Sequence, residues 1–255
     1  MKIAVCISGF LRTYDKSLHG YINNLFDPYD CDVFIHSPET PFALEQLDPV
    51  WNYAIVNKPV KILTTQELKE QIGERFVRDI KLYKYDPEPF HKHVKDYNLE
   101  PVNFLGQLTW RSISQYWNIK SVLQMKCDFE LKNNFKYDIV VLTRSDLEFH
   151  TKFSFDQIDL NAINHPAGEG FAKDGVTRNF GAAGVFGTNR IFNDQILIGN
   201  SDNINVLMGV YDSVGKNHNE LKMIINSETC IAFHLMNNNI KFTSCDFVTY
   251  RLLRA

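Results

Sequence analysis

Between Tyr137 and Phe149 the chain reads YDIVVLTRSDLEF, and this stretch restricts the possible folds more than any other. Ile139-Val140-Val141-Leu142 is an unbroken run of β-branched and aliphatic residues. Such a run suits a strand buried on both faces of a parallel sheet, where neither side points to water. It gives way abruptly to Thr143, Arg144, Ser145, Asp146, Leu147 and Glu148. A buried parallel strand that ends in an arginine and two carboxylates delivers them to the carboxyl edge of the sheet, where open α/β sheets bind ligands. If the chain stays extended after Arg144, Asp146 and Glu148 fall on one side. Two carboxylates on one side offer hard oxygen ligands to Mg²⁺ or Mn²⁺, which in turn can hold a diphosphate. Charges that simply meet water at a strand end would give the same spacing, because D-x-E arises often by accident.

The chain has 255 residues, enough for one large domain or two small ones, and its 44% apolar content is ample for a core. A formal net charge of −3 lacks the basic footprint of a nucleic-acid binder. Cys6, Cys31, Cys127, Cys230 and Cys245 are widely spaced and form no C-x-x-C, so neither a zinc site nor a disulfide framework is expected. They read as buried thiols. Met1-Lys2 leads directly into an apolar strand, and no run approaches the ~20 apolar residues of a membrane span. The expectation is a protein of the reducing cytoplasm without a transmembrane segment.

Taken in order, Ile3 to Ser8 reads as a first buried strand, ended by Gly9. A glycine there lets a ligand come close to the backbone. Arg12 could meet a phosphate or stand as a solvated loop arginine. The spacing is not G-x-G-x-x-G, so the dinucleotide fingerprint is not supported. Asp15 to Phe26 has helical spacing, with Asp27-Pro28 as its stop. Cys31 to Ser37 is a second strand, ending in His36, either a ligand-binding group or a core histidine. Val60 to Leu63 is expected as a third, and Thr65 to Ile72 as a capped helix. From Arg75 to Pro101 the pattern weakens, and His91 and His93 suit either a metal or a solvated loop. Leu105 to Phe135 carries the longest helical pattern, with Gln107, Arg111 and Gln115 on either a wet face or a cleft. Beyond Phe149 short strands are expected at Ala162–His165, Val185–Gly187 and Phe192–Gly199. The glycine-dense segment from Pro166 to Gly184 has the character of a lid. Ser201-Asp202 and Ser227 are expected to cap helices, Glu228 lies in the first turn of the second, and Ile240–Thr243 and Phe247–Leu252 close the chain as strands.

The alternating strands and helices of residues 1–150 give a doubly wound α/β sheet flanked by helices, and residues 151–255 form a loop-rich half. The strand–SGF-x-R–helix opening, the long helix followed by YDIVVLTRSDLEF, the Asp194-Gln195 pair before an apolar strand and the Ser227-Glu228-Thr229 helix resemble nucleotide-sugar glycosyltransferases of the GT-A fold, in particular those of viral and bacterial surface-glycan gene sets. The resemblance covers most of the chain. It implies one GT-A-like domain with a Rossmann-type mixed sheet, a donor-binding half at 1–150 and an acceptor and lid half at 151–255. It implies transfer of a hexose or deoxyhexose from a nucleoside diphosphate to a glycan or other hydroxyl acceptor. Ser8, Gly9, Phe10 and Arg12 would hold the nucleoside, Arg144 and Asp146 the donor, and the Asp194-Gln195 pair the donor sugar. Asp146 and Glu148 match the D-x-D metal signature, with Mn or Mg as the cation. Ser145 in place of an acid before Asp146 departs from that pattern and leaves metal dependence open.

The chemistry asks for similar parts on its own terms. A departing diphosphate needs positive charge beside it, and the acceptor hydroxyl needs a base if configuration inverts. Asp194 and Glu228 are the candidate catalytic carboxylates, and Glu228 at a helix N-terminus is expected to have a lowered pKa. A non-catalytic nucleotide- or sugar-binding module is the competing class, with a phosphate-ester hydrolase as a further alternative. No D-x-D-x-T follows a strand in favour of the latter.

Overall fold

A computed structural model describes residues 1–40, 62–101, 108–166, 182–184, 191–221 and 225–253. The apolar run after Lys2 forms β1 (Ile3–Ser8). Helix α1 (Tyr14–Tyr21) continues through a π-helical segment, Ile22–Phe26, into the short α2 (Asp27–Tyr29). Asp27-Pro28 therefore does not stop the helix, since a proline is tolerated in a first helical turn. The stop comes at Asp30, in the left-handed conformation with φ 48°. Then follow β2 (Asp32–Pro38), α3 (Thr65–Ile72), β3 (Val77–Tyr83), α4 (Glu88–Asp96) and α5 (Thr109–Asn133). Thr64 and Glu67 close a capping box at the start of α3.

The central run supplies β4 (Ile139–Thr143), and a break at Arg144–Asp146 separates it from β5 (Leu147–Phe149). The second half adds β6 (Ile163–Pro166), β7 (Ala182–Gly184), β8 (Ile191–Asn193), β9 (Ile196–Gly199), α6 (Ser201–Asn205), α7 (Val210–Leu221), α8 (Ser227–Asn237), β10 (Phe242–Cys245) and β11 (Tyr250–Leu252).

Seven strands form one mixed sheet in the order β10-β6-β9-β4-β1-β2-β3. Strands β4, β1, β2 and β3 are parallel, and β9 runs antiparallel between β4 and β6. The chain steps outward from β1 to β2 and β3, then returns to lay β4 on the opposite side of β1. Such a reversal, here at the carboxyl ends of β1 and β4, is the place where doubly wound sheets take their ligands. Both strands are buried on both faces. Ala4, Cys6, Val140 and Leu142 pack toward α5, whereas Ile3, Val5, Ile7, Ile139 and Val141 pack toward the side of α1 and α3. From α5, Ile113, Val122 and Leu123 are removed from water altogether, and each contributes about 1.5–3 kcal/mol.

Several sequence expectations need correction. The third strand is Val77–Tyr83, not Val60–Leu63; Ile62 and Leu63 lie outside any strand, and 60–61 fall outside the described residues. Arg78, Asp79 and Lys81 masked it, and such charges belong to an edge strand with a wet face. The segment around His91 and His93 is helix α4 rather than loop, with Pro87 at its N-cap and Pro89 in its first turn. Two positions apart on a helix lie about 200° around its axis, so these histidines diverge. His91 packs near Trp110, and His93 lies between Tyr97 and Tyr211. Caps fall one residue earlier than expected, on Asn200 and Asn226, whose side chains accept from Asn203 and Thr229 N–H. Strand 192–199 divides at Asp194-Gln195 into β8 and β9. Expectations for Val185–Gly187 and most of the glycine-dense segment lie outside the described residues.

Candidate functional site at the sheet edge

The carboxyl end of β4 is a turn in which Arg144 Nε and one terminal nitrogen donate to the two carboxylate oxygens of Asp146, at 2.8 and 2.6 Å. The Asp146 side chain is 7% exposed and that of Arg144 is 31%, so the cation faces outward and the carboxylate stands behind it. Burial by itself would raise the Asp146 carboxyl. The Arg144 guanidinium outweighs burial, Arg12 adds to it, and the pKa ends below the usual carboxylate value. Burial likewise works against the charge on Arg144, but Asp146, Asp194 and Glu228 together strengthen its hold on the proton.

Helix α1 fastens this turn in place. Ser17 Oγ donates to the Ser145 carbonyl at 2.5 Å, Tyr21 Oη to the Arg144 carbonyl, and Asn24 Nδ2 to the Phe149 carbonyl at 2.8 Å. These positions share one helix face. Gly20 lies on the same face: a Cβ there would stand 2.9 Å from the backbone N and O of Phe149, too close for any side chain. The loop after β1 is tied to the same turn by Ser145 Oγ, which donates to the Phe10 carbonyl at 2.8 Å. Gly9 adopts φ 87°, a conformation glycine holds without strain, and donates its N–H to the His36 carbonyl at 3.1 Å. A Cβ at Gly9 would meet nothing within 4 Å, so the backbone here borders open space. Ser8, Gly9 and Phe10 are partly buried, while Arg12 is exposed with its guanidinium 5.7 Å from the centre of the Phe10 ring.

The other side of the site comes from the second half of the chain. Because β9 is antiparallel to β4, pairing Thr143 with Ile196, its amino end lies beside the carboxyl end of β4. Asp194 and Gln195 occupy the break just before it and are 9% and 4% exposed. Asn193 shapes the break: its Oδ1 accepts the Gln195 N–H at 2.9 Å, and its Nδ2 donates to Tyr250 Oη at 2.9 Å. Gln115 Nε2 from α5 donates to Asp194 Oδ2 at 2.9 Å. Among the described residues the buried Gln195 Oε1 atom has no hydrogen-bond partner, which marks a place where a hydroxyl donor would be welcome.

Glu228 lies in the first turn of α8, whose N-terminus is anchored by Tyr116 Oη donating to the Asn226 carbonyl at 3.0 Å. Its carboxyl is not lowered by the helix end, as the sequence suggested, but raised to about 8. Burial is the main cause and the charge of Asp194 the next; the local backbone N–H and Arg144 oppose them and lose. Asp194 and Glu228 thus behave as neighbouring acids of which one holds its proton near neutral pH.

Of the sequence-derived candidates, the loop Ser8–Arg12, Arg144, Asp146, Asp194, Gln195 and Glu228 come to one edge. Glu148 does not share the ligand position expected of it. The chain turns at Ser145 and Asp146 instead of staying extended, and Glu148 sits directly opposite Arg251 in the β5–β11 pair, with Arg251 Nε bonded to its Oε2. Both oxygens of Asp146 belong to Arg144 and Glu148 belongs to Arg251. As arranged, the two carboxylates do not fit a divalent cation as a ligand pair. His36 is a core histidine: 1% exposed, stacked on Tyr83 and edge-on to Trp117. Asn118 Nδ2 donates to the Ser114 carbonyl, so Asn118 Oδ1 is an acceptor and His36 Nδ1, 2.9 Å away, carries the proton. Burial lowers the pKa of His36 to about 4.

Sequence reasoning missed Ser17, Tyr21, Asn193 and Tyr250. None has a local signature, because each acts on a partner at least 57 residues away or, for Asn193, also on a backbone bend. Gln115, for which the sequence left a wet face or a cleft open, reaches the site through Asp194. Gln107 lies outside the described residues. No protein-family model matches the chain, and no curated protein matches it.

Proposed function

We propose that this protein is a glycosyltransferase of the GT-A kind, moving a sugar from a nucleoside diphosphate donor to a hydroxyl acceptor. The observation that carries this reading is the meeting of four distant chain segments at the reversal of the sheet: the Gly9 loop, the Arg144–Asp146 turn, the Asp194-Gln195 break and the start of α8. In this reading the nucleoside lies over the Gly9 loop, where the backbone borders open space. The diphosphate faces Arg144, whose guanidinium has N–H donors beyond the pair spent on Asp146. The sugar lies toward Gln195, which supplies an acceptor for a hydroxyl.

Transfer requires the acceptor oxygen to lose a proton as the bond to the anomeric carbon forms, and the diphosphate to leave with the electron pair of the breaking bond. A base is effective when its own proton affinity lies near the working pH. Glu228 has that property, with its pKa near 8 sustained by burial and by Asp194. Glu228 is therefore the base in this reading, and Asp194, held by Gln115, is the charge that tunes it. Arg144 meets the negative charge that grows on the leaving group. A passive binding module has no use for two coupled acids beside an arginine, which favours turnover.

Thermal melting and donor-hydrolysis screening against nucleotide sugars and their diphosphates tests the reading. At a concentration a hundred times its Kd, a ligand of the native state adds about 2.7 kcal/mol of stability, an upward shift easily measured. At least one nucleoside diphosphate should produce it, and Asp146→Ala should abolish it. If no nucleotide raises the melting temperature, donor binding is refuted.

A further inference from the structure

The Arg144–Asp146 turn carries a second message, which rests on the donor-binding reading above. We propose that the diphosphate is neutralised by Arg144 and Arg12 and not by a divalent cation, so that nucleotide binding is independent of Mn²⁺ and Mg²⁺.

The ion pair turns its arginine, not its carboxylate, outward. A carboxylate that ligates a metal has to present its oxygens to the ion. Here the Asp146 side chain is 7% exposed and both its oxygens accept from Arg144, whose side chain is 31% exposed. The pair offers its positive end outward, and the carboxylate serves to orient the guanidinium. Giving Asp146 to a metal would strip a partly buried arginine of its partner, an unfavourable exchange. Glu148 cannot compensate, since it is bonded to Arg251 across the β5–β11 pair.

The charge that the cation would supply is already present in another form. Arg12 stands on the loop after β1 and Arg144 at the end of β4, on the two strands that flank the reversal of the sheet. Both guanidinium groups hold the Asp146 carboxyl down, Arg144 through its hydrogen-bonded pair and Arg12 through its charge. Arg12 adds a second positive charge to that of Arg144, one of the two being offset by Asp146, and both are planar forks whose N–H groups match phosphate oxygens. Asp194 is engaged by Gln115 and coupled to Glu228, on the side given above to the sugar and acceptor.

The test titrates the full chain with UDP, GDP, CDP and ADP by calorimetry, once in EDTA and once with excess Mn²⁺. The best-bound nucleotide should keep its affinity to within about twofold in EDTA, too small a change for the loss of a metal that bridges phosphates. Arg144→Lys and Arg12→Ala should each weaken binding about tenfold, because the fork geometry or the charge is lost, and Mn²⁺ should not restore it. Circular dichroism checks that both Arg12→Ala and Arg144→Lys keep the native fold. Mn²⁺ alone, followed by electron paramagnetic resonance, should stay free in the presence of the protein. Affinity lost in EDTA and regained with Mn²⁺ overturns the proposal while leaving the donor-binding reading intact. Failure of every nucleotide under both conditions overturns both.

Discussion

Lys126 and Arg144 are both cations paired with a buried carboxylate, and their surroundings differ in kind. Lys126, on α5, is 0% exposed and donates to Glu130 Oε2 at 2.8 Å and to Ser201 Oγ at 2.5 Å. Ser201 in turn donates to Glu130 Oε1 at 2.7 Å, and the same oxygen accepts the Tyr137 N–H at 2.8 Å. This cluster is closed: it joins α5 to the start of α6 and to the residue that leads into β4. The cluster around Arg144 sets Asp146, Asp194 and Glu228 around a partly exposed guanidinium, with Arg12 also acting on Asp146; its glutamate keeps its proton near neutral pH, and the Gln195 amide oxygen is unpartnered among the described residues. Closed ionic clusters hold elements together, and incomplete ones at a sheet edge are completed by a ligand.

The largest expected effect falls on the closed cluster. Lys126→Met leaves Glu130 buried without its cation and should cost about 3–5 kcal/mol in urea unfolding, while adding Glu130→Leu should recover most of that loss. A single substitution costing less than about 1 kcal/mol would contradict closure. At the open cluster the effect should appear in turnover. Glu228→Gln should slow transfer or donor hydrolysis about a hundredfold or more without weakening nucleotide binding. The wild-type rate should rise with pH through about 8, since only the deprotonated carboxyl accepts a proton, and the variant should lack that limb.

Stability moves the opposite way. The folded pKa of Glu228 lies above the unfolded one, so between the ordinary carboxylate range and about 8 the native state binds more protons and loses stability as pH rises. Glu228→Gln removes that loss, and its melting temperature should exceed that of the wild type most clearly above about pH 8. Equal melting temperatures there would mean that the site does not hold Glu228 against its charge. The smallest effect belongs to Glu148→Ala. Its pair with Arg251 is partly solvated, so the substitution should cost less than about 1 kcal/mol and leave nucleotide affinity unchanged.

What could be read in the sequence followed from local regularity. The runs at Ile3–Ser8, Asp32–Pro38 and Ile139–Thr143 are apolar because both faces of the sheet are covered, and they locate the reversal and its edge. Strand β3 escaped because an edge strand has no need of that pattern, and Pro87 and Pro89 hid α4 by standing at its start, where prolines do no harm. The site was readable as a set of residue types but not as an arrangement. Asp146 and Glu148 look like a pair until the turn at Ser145 sends one to Arg144 and the other to Arg251. The rise in Glu228 comes first from burial and next from Asp194, far from it in the chain, and no local rule about helix ends contains either. Nothing in the sequence marks Lys126 and Glu130 as buried, since i and i+4 spacing says nothing about what covers them.

Helix α1 carries a consequence for how such a site can change through descent. Ser17, Gly20, Tyr21 and Asn24 all bear on the backbone between Arg144 and Phe149, and the loop that leads into this helix is the one tied to Ser145 through Phe10. The partners they grip are carbonyls and main-chain atoms, which every amino acid possesses. The turn can therefore exchange its side chains, and with them its ligand, without disturbing its moorings, whereas the helix positions are not free to drift. A lineage that retains these four residues retains a preset cradle, into which a different specificity can be written by altering only what projects from it.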